Sequence, residues 1–113
     1  MLPEVTAEAA RRFGDAPALV PAGDGTPVSF ADLDRRSDAV AGGLLRSGVT
    51  AGDVVALTLR TAPEYVVAYL AAAKVGAVTA GVNPRLADAE RSKMLAVVEP
   101  KVVLGAVDDV AAL

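Results

Sequence analysis

The chain has 113 residues, near the size expected of one hydrophobic core, and 53% of them are hydrophobic while only 4% are aromatic. A formal charge of -3 with so few aromatic side chains argues against nucleic-acid binding, which needs a basic stripe and stacking platforms. The absence of Cys and His rules out disulfides and thiolate chemistry, and removes the commonest general base and metal ligand.

The apolar mass is mostly Ala, Val and Leu, which suits helices packed tightly on a buried sheet. It exceeds the ~45–50% of ordinary soluble domains even before the ten Gly are counted, so part of the surface is expected to be covered by other polypeptide. The opening "MLPEVTAEAARRFGD" has no basic region followed by an apolar one, so no secretory signal is expected. The most apolar run, "YVVAYLAAA", is too short to span a bilayer and stops at Lys74. A soluble, cytoplasmic protein is the expectation.

Leu2, Val5, Ala9 and Phe13 recur at helical spacing, predicting a helix from about Pro3 to Phe13 that ends at Gly14. "APALVPAGDGTPVSF" then reads as two short strands around Gly23-Asp24-Gly25. Gly-x-Gly could cradle a phosphate, but a strand follows it and no helix N-terminus is there to receive an anion, so a plain turn is expected. Ser29 and Asp32 have the spacing of a capping box. The helix they open carries Phe30, Leu33, Val40, Leu44 and Leu45 on one face and Asp34, Arg35 and Arg36 on the other. Gly42-Gly43 inside it costs about 1 kcal/mol each against Ala, which close packing on a neighbour would offset, a break in the helix there being the alternative. Arg46 and Gly48 mark its end.

"DVVALTL", Asp53 to Leu59, is nearly continuous apolar, as expected of a strand buried on both faces. Thr61 and Glu64 suggest a second capping box with Pro63 in the first turn, opening a helix over roughly Ala62 to Val75. That helix is apolar almost all round (Val66, Val67, Tyr69, Leu70, Ala73), so it should be buried. Lys74 stands where the dipole favours a cation, and Gly76 where a helix ends. "AVTAGV" is a strand whose small residues let a helix approach, stopped by Asn83-Pro84. A helix over about Ala87 to Val98 should turn Met94, Leu95 and Val98 inward and Glu90, Arg91 and Lys93 outward. Pro100 ends it, and "KVVLGA" is the next strand.

The fold class is therefore α/β. A helix, hairpin and helix over residues 1–50 precede a βαβαβ parallel-sheet unit over residues 53–106.

The stretch "PVSFADLDRRSDAVAGGLLRSGVTAGDVVALTLRTAPEYVVAYLAAAKVGAVTAGVNPRLADAERSKMLAVVEPKVVL" resembles the N-terminal part of an adenylate-forming (acyl-CoA synthetase, AMP-binding) enzyme. Val28 to Leu33 resembles the superfamily's first core motif, Ala71 to Pro84 its second, and "GVTAGDV" the turn between them. Asn83-Pro84 followed by "RLADAERSKML" is closer to acyl- and aryl-CoA synthetases than to peptide-synthetase adenylation domains. Gly81 departs from the pattern, standing where members often carry Pro.

The resemblance implies that residues 1–113 are an incomplete N-terminal subdomain. It implies a parent ligase that activates a carboxylic acid with ATP and Mg²⁺ as acyl-AMP and passes it to the thiol of CoA or a phosphopantetheinyl carrier protein. The family's Ser/Thr/Gly-rich phosphate loop, its aromatic-Thr-Glu segment and its later Asp and Lys are not found in this sequence. The expected partner is accordingly the remainder of the same polypeptide or a second chain carrying those motifs. A free-standing binding or interaction module is the alternative.

Several residues invite a chemical role. Lys74 could face a triphosphate, but a dipole partner at a helix end is the simpler reading. Arg60 and Thr61 lie between a strand's C-terminal end and a helix start, where open parallel sheets bind anions; a cap and a solvated arginine explain them as well. Asn83 and Arg85 hold the next such position, where Asn before Pro serves as a turn device. Asp108-Asp109 could ligate a metal but suits a helix start. The expectation is scaffold, with no catalytic, cofactor-binding or metal-binding residue in the segment and no cofactor bound by the segment alone.

Overall fold

The computed structural model describes residues 2–19, 27–59, 62–105 and 110, with side chains from residue 7 onward. The elements run α1 (Leu2–Phe13), β1 (Pro17–Leu19), β2 (Val28–Ser29), α2 (Phe30–Arg46), β3 (Val54–Leu57), α3 (Pro63–Lys74), β4 (Val78–Gly81), α4 (Asp88–Val98) and β5 (Val102–Leu104).

Gly14 leaves α1 at φ +37°, and its carbonyl accepts from Ala31 N–H, which ties the end of α1 to the first turn of α2. Phe13 and Phe30 meet across that junction with ring centroids 5.4 Å apart. β1 and β2 pair antiparallel, as the hairpin reading expects; Gly23-Asp24-Gly25 lies outside the described residues. Ser29 caps α2, its Oγ accepting from Asp32 N–H at 3.1 Å. Asp32 turns its own carboxylate to Arg35.

α2 runs unbroken through Gly42-Gly43. Its buried stripe is Leu33, Ser37, Val40, Ala41, Gly43 and Leu44, so small residues share the inward face with large ones. Leu45, expected on that face, is exposed. Successive helical residues differ by about 100°, and with Leu44 fully buried Leu45 swings out of the core.

α2 and α3 end alike. Gly48 N–H donates to Leu45 C=O and Val49 N–H to Leu44 C=O; Gly76 N–H donates to Ala73 C=O and Ala77 N–H to Ala72 C=O. Each glycine takes a left-handed conformation, φ +91° and +77°, that lets the reversed chain satisfy the terminal carbonyls. α4 ends differently, on Glu99 at φ 48° and ψ 61°, directly before Pro100.

β3 is the middle strand of a three-stranded parallel sheet ordered β4-β3-β5. Right-handed crossovers in that order put α3 and α4 on opposite faces. On the α3 face, Val55, Leu57 and Leu104 join Leu44, Val67, Ala68, Leu70 and Ala71 in one core, with α1 and α2 packed alongside. On the other face α4 packs over β3, and Ala56 is fully buried. This side is half open: Val78 is 53% exposed, and Val103 is exposed too. α4 has no buried residue, which corrects the expectation that Met94, Leu95 and Val98 turn inward. Met94 is exposed, Leu95 and Val98 are half-buried, and Val97 is 82% exposed. The helix has acidic residues in its first turn and a sharp stop at Glu99-Pro100, but the described polypeptide offers too little surface to bury an apolar face against.

The turn before β3 is fixed by Asp53. Its carboxylate accepts from Thr50 N–H at 2.8 Å and from Thr50 Oγ1 at 3.1 Å. Gly52 N–H donates to Gly76 C=O and Val78 N–H to Asp53 C=O, so the turns entering β3 and β4 are stitched together. At Gly81, a Cβ would come 3.1 Å from the Tyr65 hydroxyl.

Two outcomes follow from these turns. Gly76→Ala forces an L residue to φ +77° and brings a Cβ to 3.2 Å from Ala51 Cβ. It should lower stability by about 1–2 kcal/mol in urea unfolding, with the denaturant slope unchanged. The Thr50 hydrogen bonds hold the Asp53 carboxyl below its ordinary pKa, with Lys101 helping. A depressed folded pKa means that its stabilisation is present above the unfolded value, about 3.9, and is lost as pH falls through the lower folded value. Asp53→Asn should therefore flatten the acid side of the melting-temperature profile below about pH 4 and leave its alkaline side unchanged.

Candidate functional site

In open parallel sheets, ligands collect outside the carboxyl ends of the strands. Here those ends are Leu57, followed by Thr58 and Leu59, Gly81, followed by Val82 and Asn83, and Leu104, followed by Gly105. Thr58 is buried, with its N–H donating to Leu104 C=O at 3.0 Å and its hydroxyl pointing to the same oxygen. Arg60 and Thr61, the anion-binding candidates after β3, lie outside the described residues, as do Asp108 and Asp109.

The helix start after β3 is described, and it differs from the expected capping box. The N-cap is Ala62, without a side-chain cap, and Pro63 opens α3. With Pro63 lacking an N–H, one unsatisfied donor of the first turn is absent, and the Glu64 carboxylate occupies the positive end of the dipole. That carboxylate opposes an incoming anion.

Asn83 is committed to its own turn. Its Oδ1 accepts from Arg85 N–H at 2.9 Å, and its carbonyl from Leu86 N–H at 3.2 Å. Such a turn bridges strand and helix without help from a ligand. Arg85 itself is exposed.

Lys74 sits at the opposite end of α3. Twelve helical residues rise roughly 18 Å, so it is far from the strand ends that carry Leu59 and Asn83. Its side chain is only 11% exposed. Its Nζ donates to Asp34 Oδ1 at 2.8 Å, Asp38 Oδ1 at 2.7 Å, Ser37 Oγ at 2.8 Å and the Asp34 carbonyl at 3.1 Å. Ser37, with no exposed surface, passes its own hydrogen to the Asp34 carbonyl. The lysine is thus more than the expected dipole partner: it pins α3 to α2. Its ammonium is saturated by protein acceptors and cannot also face a triphosphate.

The sequence held half of this cluster. Asp34, Ser37 and Asp38 lie at helical i, i+3 and i+4 spacing, a polar patch beside the apolar stripe. Their partner stands some forty positions on, and pairing over that separation is set by packing, not by pattern.

Among the described residues there is no group of three or more Asp or Glu placed to hold an ion, and Thr58 and Asn83 at the ends of β3 and β4 are used in local structure.

The architecture, a parallel three-stranded layer with its helices, matches the N-terminal subdomains of adenylate-forming enzymes. The N-terminal subdomain of NpsA from Klebsiella oxytoca, solved in complex with 3-hydroxyanthranilyl-AMSN, is 28% identical with a TM-score of 0.82 over 97% of this chain and 27% of that one. A fatty acyl CoA synthetase from Mycobacterium tuberculosis is 28% identical with a TM-score of 0.84, over 90% and 20%. Among curated proteins, 4-coumarate–CoA ligase CCL1 of Humulus lupulus is 39% identical over 93 residues, 82% of this chain and 17% of the ligase. Residues 6–113 match the AMP-binding enzyme family, and the chain belongs to it. It spans a third or less of the length of the first curated relatives it matches.

The clamp has a direct test. Lys74→Met keeps the stem and removes the charge, leaving Asp34 and Asp38 facing each other. It should cost about 1.5–3 kcal/mol in denaturant unfolding, with Lys74→Arg intermediate. A variant as stable as the parent would show that the cluster contributes nothing.

Proposed function

We propose that this chain is the structural N-terminal portion of an ATP-dependent carboxylate–thiol ligase. In the parent reaction a carboxylate attacks the α-phosphate of ATP to give acyl-AMP and release pyrophosphate. The thiol of CoA, or of a phosphopantetheinyl carrier protein, then takes the acyl group and AMP leaves. The 4-coumarate–CoA ligase and fatty acyl CoA synthetase among its relatives support this reaction class. ATP, Mg²⁺ and the thiol would be bound by residues on further polypeptide, in the same chain or a second one. A cytoplasmic location belongs to this reading. Among the described residues no helix is long and apolar enough to cross a membrane.

The role of these 113 residues in that enzyme is scaffold. The observation that carries this reading is the fate of the candidate side chains: Lys74 is consumed in an interhelical clamp and Asn83 in a turn. Adenylation needs a cation free to meet developing negative charge, and Lys74 is not free.

The purified 113-residue chain should give no ATP–pyrophosphate exchange above background with aryl or fatty acids. Robust carboxylate-dependent exchange would overturn the scaffold reading. A second outcome separates it from a self-contained binding module. With Val78, Val97 and Val103 exposed, the isolated chain should bind a hydrophobic fluorescent dye or self-associate at micromolar concentration. A strictly monomeric chain that unfolds cooperatively and leaves the dye dark would favour the module.

A further inference from the structure

We draw no further inference here: the strongest candidate, the exposed valines Val78 and Val103 on the α4 side of the sheet, carries nothing beyond the scaffold reading because nothing in the structure shows what covers them.

Discussion

The burial of β3 is the constraint on which the other elements depend. Val55, Ala56 and Leu57 have essentially no exposed surface, and the strand is hydrogen-bonded along both edges. A parallel strand in that position can be reached only through crossovers, and crossovers to opposite sides bring helices to both faces. One face receives α3 together with α1 and α2, whose Ala and Gly positions allow close approach. Among the described elements, the other receives only α4. The same strand thus accounts for the well-packed side of the molecule and for the half-open one.

Much of this was legible because it is encoded locally. Ser29 with Asp32, the glycines at 48 and 76, and Pro100 are punctuation marks whose chemistry works within a few residues. The apolar run of β3 and its alternation with helical periods fixed the order of elements. The misreadings came where the outcome depends on what lies across the core. Leu45 matched the apolar stripe by type but not by angle. The described N-cap of α3 is Ala62, without a side-chain cap, while Thr61 lies outside the described residues. α4 carries apolar residues at inward spacing, but periodicity cannot say whether a surface exists to receive them. Lys74 was identified as a helix-end cation; that it reaches across to Asp34, Ser37 and Asp38 could emerge only once α2 and α3 were packed side by side.

The same distinction governs the candidate positions at the strand ends. Strand ends and helix starts are places where anions can bind, and the pattern alone marks them. Whether they do depends on which groups remain unengaged. Glu64 occupies one such place, the Asn83 turn another, and the only described lysine of α3 is folded inward at the far end. The match to the family over residues 6–113 says nothing by itself of which side chains do chemistry.

Glu99 shows how a single backbone conformation propagates. Holding a non-glycine residue at φ 48° turns the chain sharply, and Pro100 then forbids any helical continuation. The reversal delivers Lys101 N–H to Val54 C=O at 2.7 Å, the first rung of the ladder that aligns Val102 with Val55. Since a slip of one residue would present Val103 where Leu104 now seals the core, that left-handed corner acts as the indexing stop for the third strand.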